Sequence, residues 1–178
     1  MTYLSRISGL EGDDYKFHQA LKNIFDQDQI LFQRGKFETA VLSRKPPANH
    51  YPSPAVEEIT SFLDGIAVGA EFLFTVRLNP VITRKINEKA KRVPVEQKQL
   101  HEWIAAKLDS ARISAEFIYE TEGPRVSLKK DHKITLSSVF VTGVCQVMDV
   151  DFFKDALMRG IGHSKGFGFG MLNIYANL

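Results

Sequence analysis

A single cysteine, Cys145, stands among 178 residues, inside the apolar run Val139 to Val147. One thiol excludes an intrachain disulfide and a cysteine-based zinc site, and a reducing cytoplasm is the expected setting. No run approaches the roughly 18 apolar residues that cross a bilayer, and the N-terminus lacks the basic-then-apolar build of a signal peptide, so no membrane partner is expected. A strong charge of one sign is missing too, since the net charge is only +2. Low-complexity and linker-like stretches are also absent, which predicts that the parts of the chain pack on one another.

What is present is a core and a local basic surplus. Hydrophobic residues make up 44% of the chain, enough for one ordinary domain or two small ones. Residues 1 to 76 carry seven Lys/Arg against ten Asp/Glu, a net −3, which leaves +5 for the remainder. Arg77 to Lys98 is the densest stretch, with Arg84, Lys91 and Arg92 among its cations, and Lys129, Lys130 and Lys133 form a second cluster. Such patches suit a polyanion, although a solvated face also explains a charge run.

Periodicity divides the chain into two similar halves. Tyr3 to Ile7 reads as a strand, and Asp13-Asp14 opens a helix whose Phe17, Leu21, Ile24 and Phe25 recur on one face. Ile30 to Arg34 and Phe37 to Ser43 are strands around the turn Gly35-Lys36. A helix from Ser53 to Leu63 and a weak return strand within Asp64 to Ala70 complete the first half. The order then repeats: strand Glu71 to Leu78, helix Val95 to Leu108, strands Ile113 to Tyr119 and Val139 to Met148, helix Asp151 to Met158, strand Phe167 to Tyr175. The expected fold is α+β, two tandem ferredoxin-like (RRM-like) β-α-β-β-α-β units, one over residues 1–69 and one over 70–178.

Between the last helix and last strand lies Gly160-Ile161-Gly162-His163-Ser164-Lys165-Gly166-Phe167-Gly168-Phe169-Gly170, with five of the twelve glycines. Bare backbone of this kind lets N–H groups approach a phosphate, and Lys165 and His163 add charge. A nucleotide fingerprint runs strand, glycines, helix, whereas here helix precedes and strand follows, so both dinucleotide and P-loop readings fail. An anion-contacting loop and a plain packing turn both remain.

Several segments together resemble the CasE endoribonucleases, the RNA-processing subunits of type I-E Cascade within the CRISPR-associated proteins. They are Tyr3-Leu4-Ser5-Arg6 followed by the helix Tyr15-Lys16-Phe17-His18, the strand end Phe74 to Pro80, the basic loop Lys91-Arg92-Val93-Pro94, and the glycine-rich loop with its final strand. The stretch between Tyr119 and Ile134 is short beside the extended hairpin of longer members, so the chain reads as a short member. The resemblance implies a metal-independent endoribonuclease that cuts precursor CRISPR RNA at the repeat hairpin and stays on the product with other Cascade-type subunits, using no cofactor.

RNA carries its own nucleophile, the 2′-OH, so cleavage to a 2′,3′-cyclic phosphate and a 5′-OH needs only proton transfer and orientation. Histidine suits that transfer because its pKa lies near working pH. By position alone His18 is a boundary histidine beside core Phe17 and Leu21; the resemblance makes it the catalytic histidine, with Tyr15 one turn earlier on the same face. A lysine partner falls on Lys16 or Lys22. The resemblance also implies RNA contacts by Arg84, Lys91, Arg92, Lys129, Lys130, His163, Ser164, Lys165 and Gly166. Glu11, Asp13 and Asp14 read as a helix N-terminal charge set, not a magnesium cage, and His50, His101 and His132 as surface residues. The rival readings are a noncatalytic RNA-binding subunit of the same fold and a small domain whose glycine loop merely packs.

Overall fold

The computed structural model describes residues 1–27, 29–48, 55–129 and 132–175. Its first sheet is built from β1 (Tyr3–Ile7), β2 (Leu31–Arg34), β3 (Thr39–Ser43) and β4 (Ala55–Glu58), in the order β2-β3-β1-β4 with every neighbour antiparallel. Helix α1 (Asp14–Phe25) lies between β1 and β2 in the chain. Its buried Phe17, Leu21, Ile24 and Phe25 join Ile7, Phe32 and Val41 of the strands in one core. The Asp13 side chain caps α1 by accepting from the N–H groups of Tyr15 and Lys16 at 2.9 and 3.0 Å. Those hydrogen bonds, the one from Lys16 foremost, hold the Asp13 carboxyl below its ordinary value.

The second sheet repeats the plan with β5 (Glu71–Leu78), β8 (Ile113–Lys129), β9 (His132–Val147) and β10 (Leu172–Tyr175), ordered β10-β5-β9-β8. Helix α3 (Leu100–Asp109) and α4 (Val150–Arg159) pack their apolar sides on it. The pattern of β5 alternates, with Phe72, Phe74, Val76 and Leu78 buried, as a sheet covered on one face requires. Both units are ferredoxin-like, in tandem.

The fold corrects five readings. Ser53 to Leu63 is not one helix: Ala55–Glu58 is a strand on the open edge of β1, and α2 is only Thr60–Asp64. Pro54 and β-branched Val56 disfavour helix there, while an unpaired edge of β1 offers hydrogen bonds. No strand forms within 64–70. The basic loop is the hairpin β6 (Val81–Ile86) and β7 (Lys89–Pro94), closed by Asn87 and Glu88, both at positive φ. Far from ending at Tyr119, β8 pairs with β9 out to Lys129 and His132 and absorbs Gly123-Pro124 where the register slips between Glu122 and Arg125. The final strand begins only at Leu172, because Gly168 and Gly170 take left-handed φ of 78° and 80° that extended pairing does not allow.

As expected of a chain without a linker, the two units are packed together. Leu31 and Leu42 of the first meet Met171 of the second in a shared apolar cluster. Asp14, 5% exposed, receives Arg125 of β8 in two hydrogen bonds of 2.6 and 2.9 Å and Arg34 of β2 at 3.2 Å. Arg77 binds Glu122 through Nε and Nη2 at 2.7 and 2.9 Å and reaches the Arg34 carbonyl at 3.0 Å. Burial alone would raise the Glu122 carboxyl, but hydrogen bonds from Arg77 and Ser138 hold it low. Asp14 is therefore more than part of a helix charge set: it joins the two units.

Candidate active site

The end of α4 feeds the glycine loop back across the face of α1. Gly160 follows the helix at φ 71°, the Ile161 N–H donates to the Gly170 carbonyl at 2.7 Å, and the Gly170 N–H donates to the Arg77 carbonyl at 2.7 Å. This ties both ends of the loop to β5. The Asn79 side-chain amide donates to Ser164 Oγ at 2.8 Å, so the Asn-Pro end of β5 holds the middle of the loop as well. Close approach is built in at Gly168, where a Cβ would lie 2.8 Å from the Phe32 ring.

His18 sits on the half-buried shoulder of α1 that meets this loop. Its ring stacks on Phe32 with centroids 5.8 Å apart and planes 19° apart. On the loop side the ring is close enough that a Cβ on Gly166 would stand 3.2 Å from Nδ1. Burial, with the Lys22 ammonium one turn along, holds the imidazole below the ordinary histidine value, so it is neutral at pH 7. His18, Lys165 and Gly166 line one cleft of about 580 Å³, whose far wall includes Arg44 and Arg159. Burial also lowers the Lys165 ammonium, with Asp155 opposing the shift and Arg159 adding to it.

The remaining sequence-derived candidates fall around this centre. Tyr15 lies one turn before His18, outside the residues lining the cleft, and its ring is 6.2 Å from Phe167. Lys22 acts on His18 electrostatically, whereas Lys16 is exposed. His163 is exposed and does not line the cleft, and its pKa is lowered by burial and by Arg92, Lys107 and Lys165. Arg92 of the β6-β7 hairpin is thus a neighbour of the loop. Arg84 and Lys91 oppose each other across that hairpin, with Arg84 3.7 Å from Glu96. The backbone of Lys129 ends β8, and Lys130 and His50 lie outside the described residues. His132 is exposed, while His101 stacks on Phe117 at 4.9 Å.

Sequence reading missed Phe32, Arg44 and Arg159. Phe32 looked like any core strand residue, and Arg44 and Arg159 are isolated in sequence, one past a strand and one ending a helix. Only the packing of β3 against the end of α4 brings the two arginines to one cleft. Among the described residues no group of three His, Cys, Asp or Glu is placed to hold a metal ion. No helix among them is long and apolar enough to cross a membrane.

Two ferredoxin-like units in tandem, with a histidine-bearing helix of the first against a basic glycine loop of the second, form an architecture of the kind that RNA-recognition modules use. The family model for CRISPR associated protein matches residues 5–175, and the chain belongs to that family. Among solved structures it is similar to the CRISPR-associated protein Cas6e from Escherichia coli, at 23% identity and a TM-score of 0.76, covering 97% of this chain and 98% of that one. It is also similar to Thermus thermophilus Cse3 bound to an RNA representing a pre-cleavage complex, at 16% identity, TM-score 0.75, and 99% and 100% coverage. A chain of a CRISPR RNA-guided surveillance complex matches at 18% identity and a TM-score of 0.74, over 97% and 98% of the two chains. No curated protein sequence matches.

Proposed function

We propose that this chain is an endoribonuclease that cuts precursor CRISPR RNA at its repeat hairpin without a metal ion and remains on the product within a Cascade-type assembly. The observation that supports it most is the neutral, half-buried His18 imidazole beside Lys165 in an open basic cleft. Neutral imidazole takes the proton of the 2′-OH as the 2′-oxygen bonds to phosphorus. The bond from phosphorus to the 5′-oxygen breaks, that oxygen takes a proton from water, and the products are a 2′,3′-cyclic phosphate and a 5′-OH. Tyr15 hydrogen-bonds the phosphate or holds the attacking hydroxyl, and Lys165 offsets the charge that develops on the phosphate oxygens.

In this reading residues 1–69 form the unit that carries the catalytic helix and residues 70–178 the unit that holds the hairpin. Arg84, Lys91, Arg92, Lys129 and Lys130 contact stem phosphates, and His163, Ser164 and Gly166 meet the strand near the cut. Side chains do not read the deep A-form major groove well, so recognition rests on shape, backbone charge and the unpaired base of the stem.

The test is cleavage of the repeat hairpin encoded beside the gene. Wild-type protein should cut it in EDTA, and His18→Ala should lower the single-turnover rate about 10²–10⁴-fold while still binding the hairpin. A His18→Ala protein that cuts at the wild-type rate would remove His18 from the chemistry. Hairpin binding without any cleavage by wild type would favour the noncatalytic RNA-binding subunit.

A further inference from the structure

The cleft that holds His18 continues well beyond it. From His18 and Gly166 it runs between the end of β3 at Ser43-Arg44 and the end of α4 at Met158-Arg159, over a floor that includes buried Leu31 and Leu42. Its volume of about 580 Å³ lies within the roughly 300–1,000 Å³ usual for small-ligand sites. Its charged groups are Arg44, Arg159 and Lys165, with no carboxylate among the described residues that line it. Such a lining favours an anion with an apolar, planar body: a nucleotide.

The rim is also built to hold Arg44 in place. Ser43 Oγ donates to the Lys45 carbonyl at 2.8 Å, and the Arg44 N–H donates to Gln27 Oε1 at 3.3 Å, so the backbone on both sides of Arg44 is pinned. Arg159 pairs with Asp155 at 2.7 Å on the exposed side of α4, a bond already weakened by water and readily exchanged for a phosphate.

We propose that this cleft is a subsite for the nucleotide immediately 3′ of the scissile phosphate, with Arg44 and Arg159 holding its 3′-phosphate and Leu31, Leu42 and Met158 lying against its base. The inference rests on the endoribonuclease reading above. Direction follows from the loop. Arg92 of the β6-β7 hairpin and Lys165 both act on His163, while Lys165 but no residue of that hairpin lines the cleft, so the basic hairpin and the cleft lie apart along the loop. In that reading the retained RNA stem is 5′ of the cut and its phosphates lie on the β6-β7 hairpin. The strand leaving His18 in the 3′ direction therefore enters the cleft.

The experiment compares two repeat hairpins blocked by a 2′-deoxynucleotide at the cut, one ending there and one continuing for three nucleotides. Binding of both is measured on wild type and on the double variant Arg44→Ala, Arg159→Ala, and the readout is the ratio of the two dissociation constants on each protein. Wild type should favour the extended RNA by about tenfold, the increment of one charge-assisted contact, and the variant ratio should fall to about one. An equal ratio in both proteins, or a ratio of one on wild type that still binds the stem, overturns the subsite and leaves the endoribonuclease reading standing. Failure of wild type to bind either RNA overturns both.

Discussion

Replacing Gly166 by alanine tests whether the glycine loop positions the histidine. Gly166 does not adopt a left-handed φ, so its backbone accepts alanine without conformational strain. The added methyl, however, would lie 3.2 Å from His18 Nδ1 and 3.3 Å from Cε1, inside the 3.4–4 Å of ordinary contact. Fully buried Phe32 stacks on the imidazole and cannot yield, so the imidazole or the loop must retreat by a few tenths of an ångström. At about 100-fold per ångström of misplacement, the single-turnover rate should fall roughly 3- to 6-fold. Because the site is half-buried, stability should fall by no more than about 1 kcal/mol, at the low end for overpacking. Gly168→Ala is the contrast: with φ 78° and a Cβ 2.8 Å from Phe32, it should mainly lower stability. Cleavage kinetics at saturating enzyme and urea unfolding measure the two effects. A Gly166→Ala protein that cuts at the full rate would refute the claim that the loop confines His18.

Two further outcomes follow from the site and its support. Since burial depresses the His18 pKa below 6.5, its neutral form predominates above that value, so the cleavage rate should level off above it and fall as pH drops through the lowered pKa. His18 also contributes stability that is present above 6.5 and lost as pH falls through the same lowered pKa, and a rate midpoint above 6.5 would contradict a neutral base. Asp14→Ala leaves Arg125 and Arg34 facing a buried gap. It should destabilise the protein by about 3 kcal/mol, the low end for breaking a buried pair because both guanidiniums keep about a quarter of their exposure; urea unfolding within 1 kcal/mol of wild type would show that the pair is not a joint between the units.

Local rules made much of this protein legible before any tertiary contact was known. Alternation places β1 and β5, and helical spacing with an Asp cap places α1, because each signal depends on neighbours within a few residues; the strand order that makes both units ferredoxin-like belongs to the sheets. Tyr15 and His18 are one turn apart on α1, but by position alone His18 is a boundary histidine, and only the family resemblance singles the pair out. Strand edges and glycine geometry were not. Whether Ala55–Glu58 pairs, how far β8 and β9 run together and where β10 begins depend on an open edge of β1, on a register slip between Glu122 and Arg125 and on φ values at Gly168 and Gly170 that no composition reveals. The glycine loop and the histidine helix lie about 150 residues apart in the chain, and sequence alone assigned them to separate roles. Only the packing of the second unit on the first places Gly166 and Lys165 against His18 and sets Arg44 beside Arg159, since burial, pKa and cleft shape arise from contacts between distant segments.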